Sequence, residues 1–177
     1  MAFINRKVYF STVLSIFLLS CNPDPPVKKN APPPDKEKLK QQFIQANKQL
    51  VKKESDEMDY YVKTHQMAFV KTNSGIRFYV YEHSKKGDSI RDGMEVTMAY
   101  KVSLLNGTEV YSSAESGKKT FVVGMESIES GIHKGVQYLK RGDKALILIP
   151  SHLAHGLLGD LNKIPPQMPI VYDVQVE

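Results

Sequence analysis

Glu95 to Ser113, EVTMAYKVSLLNGTEVYSS, constrains the fold more than any other stretch of the chain. Two strand-like runs meet at Asn106-Gly107, the pair favoured in tight hairpin turns because both residues tolerate positive φ. A turn that short forces the two runs to lie antiparallel. The other segments agree. GIRFYVYE alternates, with Ile76, Phe78 and Val80 on one side and Arg77, Tyr79 and Tyr81 on the other. KKTFVVG, DKALILIP and PIVYDVQVE read as further strands, the second apolar enough to be buried throughout. Between them, IHKGVQYLKRG reads as a short helix with Ile132, Val136 and Leu139 on one face and Gly142 at its end. Strands outnumber helices, so the reading is α+β: an antiparallel sheet with one helix across a face.

The N-terminal third reads differently. MAFINRKVYFSTVLSIFLLSC has Arg6 and Lys7, a short apolar run from Val13 to Leu19, then Ser20 and Cys21. That is the pattern of a secretory signal, and the run is short for a membrane span. LLSC resembles a bacterial lipobox, which makes Cys21, the chain's one cysteine, the lipidated first residue of a protein held on a membrane leaflet. One cysteine also excludes an internal disulfide framework. NPDPPVKKNAPPPDK reads as an extended, semi-rigid spacer. Asp35 then suits a helix N-cap, and Leu39, Phe43, Ala46 and Leu50 share a helical face widened by Ile44 and Val51. A second helical piece is expected over 56–65. The apolar stripe either packs on the domain, the simpler outcome, or pairs two copies of the chain. The expected boundaries are 1–20 for the signal, 21–34 for the lipidated cysteine and linker, 35–66 for the helical segment and 67–177 for the folded domain.

Charge excludes one class of partner. The net charge is +5, and loss of Arg6 and Lys7, the only charged residues among the first twenty, leaves +3. That is too mild to imply nucleic acid, and no Gly-rich phosphate loop is present.

The chemistry centres on LILIPSHLAHGLLGDLNKIPP, Leu146 to Pro166. Pro150 and Gly156 bracket His152 and His155, so the histidines sit in a loop. No third ligand is evident, which argues against a metal. Ser151 beside His152 lacks the strained elbow of a nucleophilic serine. Arg141-Gly142-Asp143 spells a cell-adhesion tripeptide, but here it reads as a helix end and turn. What remains is a pocket: a strand ending at Pro150, an arching loop, and Ile164-Pro165-Pro166 stiffening the return.

From about Gly75 to Val176 the chain resembles the FKBP-type peptidyl-prolyl cis/trans isomerases. The resemblance is carried in order by VTMAYKVSLLNGTEVYSS, FVVG, GIHKGVQYLKRGDKALILIP, SHLAHG and IPPQMPIVYDVQV. It implies a curved antiparallel sheet wrapped on one short helix, here preceded by the N-terminal helical segment. It also implies rotation about X-Pro bonds in exported, proline-containing clients, with no cofactor and no metal. Tyr100, Phe121, Ile128, Ile164 and Tyr172 stand where that family lines its pocket. Glu129 offers a backbone N–H to a substrate carbonyl. Four positions depart from the family pattern. Val110 replaces a phenylalanine and Tyr111 an acidic residue. Ile132 replaces a tryptophan and His155 a tyrosine whose hydroxyl bonds the peptide. These departures imply weak or narrow activity and poor macrolide affinity. The lipobox and spacer are similar to lipoprotein isomerases of the Bacteroidetes type, including those of gliding motility, and imply an outer-membrane anchor facing the periplasm. The competing reading is a catalytically degenerate module of the same fold, acting as a chaperone or assembly factor. A third makes the leading helix the dimer contact of a clamp.

Overall fold

The computed structural model describes residues 35–125 and 128–177. The expected signal, Cys21 and the proline-rich spacer lie outside the described residues. Helix α1 spans Lys36–His65. The Asp35 side chain caps it, accepting from the N–H groups of Glu37 at 3.0 Å and Lys38 at 3.4 Å. The sequence predicts two helical pieces here, but the structure has one continuous helix. Its charged middle holds no Gly or Pro. Ion pairs one turn apart, Lys52–Asp56 at 2.6 Å and Lys53–Glu57 at 3.7 Å, bridge the join where apolar periodicity lapses. Gln66, in the left-handed region at φ 52°, ends it.

Among the described residues seven strands make up the rest of the framework: β1 Val70–Lys71, β2 Arg77–Glu82, β3 Glu95–Leu104, β4 Glu109–Ser112, β5 Lys119–Val122, β6 Lys144–Ile149 and β7 Ile170–Val176. The four-residue helix α2, Ser113–Ser116, leads from β4 to β5, and α3, Ser130–Val136, leads from β5 to β6. All pairings are antiparallel in the order β1-β2-β6-β7-β3-β4, with β5 also on β3. The β3–β4 hairpin turns at Asn106-Gly107 as its sequence predicts. Gly107 takes φ 86°, and the Asn106 side-chain carbonyl accepts the Thr108 N–H at 3.0 Å.

Both faces of the sheet are covered, which explains why β6 reads KALILI without alternation. Ala145, Ile147 and Ile149 join Tyr172 and Val174 of β7 in the main core with Ile132 and Val136 of α3. Gly131 lets α3 lie this close, since a Cβ there would stand 2.2 Å from Ile149 Cγ2. On the opposite face, Leu148 and Val171 pack under Met58, with Tyr61 and Val62 beside them.

Helix α1 therefore divides. Its C-terminal half docks, with Met58 fully buried and Glu54 7% exposed. Burial of Met58 is worth about 2 kcal/mol. In the N-terminal half Phe43 is 63% and Val51 52% exposed, and Leu39 and Ile44 are also exposed. The expectation that this stripe packs on the domain is corrected for that half, whose apolar side chains are exposed. Arg77, on the side of β2 opposite Ile76, Phe78 and Val80, is buried as the docking pin. Its guanidinium donates to Asp59 Oδ1 at 2.6 and 3.0 Å, to Gly75 O at 2.6 Å and to Ser55 Oγ at 2.8 Å. Asp143 of the Arg-Gly-Asp stretch is also buried, accepting from the N–H groups of Ser84 and Lys140 in the turn.

Candidate functional site

The site begins where β3 changes neighbours. Met98 pairs with Lys119 of β5 and Lys101 with Ser112 of β4, so the seam between β5 and β4 falls at Tyr100. Ser113 Oγ accepts the Tyr100 N–H at 3.0 Å, satisfying a backbone donor that the seam leaves without a strand partner. Tyr100 and Val102, two residues apart on β3, point to one face. Val102 lies opposite Tyr172 of β7. The Tyr100 and Tyr172 rings stand 6.2 Å apart at 45°.

These side chains form one wall of a cavity of about 320 Å³, closed by Tyr111, Lys119, Glu129, His155, Asp160 and Asn162. Glu129 occupies the N-cap position of α3, where a negative charge suits the helix dipole. Its backbone carbonyl accepts from the Ile132 N–H at 2.9 Å, while its own N–H donates to no described residue. The Glu129 carboxylate turns into the cavity. It accepts from the Tyr172 hydroxyl at 2.9 Å and lies 3.3 Å from His155 Nε2 and 4.0 Å from Lys119 Nζ. Burial, then the Glu129 charge and hydrogen bond, push the Tyr172 hydroxyl well above the ordinary tyrosine range, so it remains a donor. Lys119 also stands 5.2 Å over the Tyr100 ring.

The loop after Pro150 supplies the opposite rim. Asp160 folds it, its Oδ1 accepting from Asn162 N–H at 2.9 Å and Ile164 N–H at 2.7 Å. Its other oxygen accepts from the Tyr111 hydroxyl. Burial raises the Asp160 carboxyl, but hydrogen bonds from Tyr111, Ile164 and Asn162 and the nearby His155 hold it below the usual carboxylate range. The hydrogen bond to Asp160, with burial, raises the Tyr111 hydroxyl in turn. A carboxylate thus reaches the rim from the loop, beside Tyr111.

Of the residues singled out from sequence, Tyr100, Tyr111, Glu129, His155 and Tyr172 line the cavity together. Val110, Phe121, Ile132 and Ile164 are buried in the core cluster that backs it, and Ile128 packs partly exposed against that cluster. Sequence reasoning missed Val102, Lys119, Asp160 and Asn162. The first two carried a signal, the two-residue strand repeat from Tyr100 and from Phe121. Asp160 and Asn162 carried only generic turn chemistry. His152 is exposed, away from this cavity. Among the described residues no group of three His, Cys, Asp or Glu could hold a metal ion.

Residues 86–177 match the family model for FKBP-type peptidyl-prolyl cis-trans isomerases. The chain is 30% identical over 106 residues to the FKBP-type peptidyl-prolyl cis-trans isomerase FkpA of Buchnera aphidicola (subspecies Acyrthosiphon pisum), covering 60% of this chain and 43% of that one. It thus spans about two fifths of the length of such curated relatives. The crystal structure of FkpA from Escherichia coli superposes with a TM-score of 0.60 at 26% identity, over 79% of this chain and 69% of that one. That of AtFKBP13 does so with a TM-score of 0.57 at 26% identity, over 61% of this chain and 95% of that one.

Proposed function

The chain belongs to the FKBP-type peptidyl-prolyl cis-trans isomerase family, and on that premise we propose that its cleft accelerates rotation about X-Pro bonds. The observation that carries this is the meeting of Tyr100, Glu129, His155 and Tyr172 around one cavity within the matched residues. Amide resonance sets a barrier of about 18–20 kcal/mol. No covalent step is needed. A cleft that binds the twisted amide better than either planar form lowers that barrier. Excluded water assists, because the twisted carbonyl is the less polar one. The Glu129 N–H is the donor for a substrate carbonyl, and His155 holds the opposite rim.

The activity is weak or narrow. The cavity carries two carboxylates, an imidazole and an ammonium group in its lining, so desolvating it costs more than desolvating an apolar pocket. Macrolide affinity is poor for the same reason. That polarity also favours a second reading, a binding module that holds proline-bearing chains with little turnover. In that case the protein serves as a chaperone or assembly factor, the gliding apparatus included.

The clients are exported proteins. The lipobox-like LLSC supports a lipid anchor on Cys21 in the outer membrane, facing the periplasm. The exposed stripe of α1 supports pairing of two copies through that helix. Isomerisation rates over a panel of X-Pro peptides, with a proline-free control for binding, test the proposal. Acceleration confined to a few residues before proline is expected. Binding without acceleration of any peptide supports the module instead.

A further inference from the structure

The two oxygens of the Glu54 carboxylate reach across from α1 to the start of the cleft loop. Oε2 accepts the Ser151 N–H at 2.9 Å and Oε1 accepts the Ser151 hydroxyl at 2.6 Å. Both bonds are buried and join residues 97 apart in sequence. A carboxylate withdrawn from water is costly unless its oxygens are bonded, so this contact fixes the loop's first residue firmly. Ser151 in turn organises the next five residues of the loop. Its carbonyl accepts from the N–H groups of Ala154 at 2.9 Å and Gly156 at 2.7 Å. His155 lies between those two anchored residues, and its ring meets Glu129. Pro150, just before Ser151, has φ −65° and holds the entry to the turn.

We propose that Glu54 is a positioning residue for the cleft: helix α1, through Ser151, sets where His155 stands against Glu129. The sheet alone does not do this, because β6 ends at Ile149 and β7 begins only at Ile170. Arg77 holds the same half of α1 by a separate contact, at Asp59, which does not touch Ser151 or the loop. As a statement about catalysis this rests on the isomerase reading. As a statement about loop geometry it does not.

The test uses the full chain with Glu54→Gln, Ser151→Ala, both together, and Asp59→Asn as a control on the same helix. Glutamine has one acceptor oxygen where glutamate has two, so it cannot repeat the arrangement of one Ser151 donor on each oxygen. X-Pro isomerisation is read with kcat and KM separated, alongside the His155 imidazole NMR signals. Each cleft-side variant is expected to lower kcat/KM about tenfold and to move the His155 signals. The double variant should be no worse than the more impaired single, because both break one link. Asp59→Asn should lose stability with kcat, KM and the His155 signals unmoved. The proposal is overturned if Glu54→Gln and Ser151→Ala change only the melting temperature, or if Asp59→Asn moves the His155 signals equally. If the native protein shows no isomerisation, the functional reading fails and the His155 signals alone decide the link. If Glu54→Gln does not fold, Ser151→Ala, which keeps the N–H bond, decides it in the same way.

Discussion

The Tyr172 hydroxyl donates to the Glu129 carboxylate at 2.9 Å across the back of the cleft. This pair gives the cavity its polar character. It joins the last strand to the N-terminus of α3 and supplies the anion to which His155 and Lys119 turn.

Removing either partner alone is expected to destabilise the fold. Glu129→Leu strands a buried hydroxyl and should cost about 1–3 kcal/mol, whereas Tyr172→Phe leaves Glu129 its other partners and should cost about 1 kcal/mol. The double variant should cost less than the sum of the two. It should also bind an apolar macrolide more tightly than the native protein. Urea unfolding and ligand titration of the three variants measure both effects.

Gly131 holds α3 against β6. Alanine there would press its Cβ onto Ile149 Cγ2 and onto the Leu153 carbonyl oxygen, 2.9 Å away. Gly131→Ala should therefore cost about 2–3 kcal/mol, read as a fall in the unfolding midpoint at unchanged slope.

The docking of α1 should weaken in acid. Burial raises the Asp59 carboxyl, but hydrogen bonds from Lys71 and Arg77 and their charges bring it below the usual carboxylate range. A depressed folded value means the contribution is complete above the unfolded value, about 3.9, and is lost as pH falls through the lower folded one. Asp59→Asn should cost about 1–2 kcal/mol at neutral pH, a modest figure because Asp59 is half exposed. The gap between variant and native melting temperatures should close as the pH is taken below about 4.

The exposed stripe on the N-terminal half of α1 should pair two copies. Phe43→Lys with Val51→Lys is expected to convert a dimer to a monomer by light scattering, with the melting of the folded domain unchanged. An unaltered mass would remove the helix from dimerisation.

Where local chemistry decides, the sequence was sufficient. Asn106-Gly107 dictates its turn and Asp35 caps its helix. Where a distant partner decides, it was not. An arginine on a strand reads as solvated, and Arg77 is buried only because Asp59 and Ser55 meet it from a helix. The continuity of α1 was hidden because charge pairs, not apolar spacing, span its middle. In the site, Tyr100 and Tyr172 were legible through the family resemblance, and as bare strand aromatics they read equally as core. Asp160 was not, because its role arises from a loop that brings it beside Tyr111.

The central claim is that this cleft turns X-Pro bonds. Its most direct test is the isomerisation rate of a proline peptide with the native protein and with Tyr100→Ala plus His155→Ala, each shown folded by circular dichroism. The account predicts acceleration proportional to native protein and reduced at least about tenfold in the variant. No acceleration by the native protein, or equal acceleration by both, would contradict it.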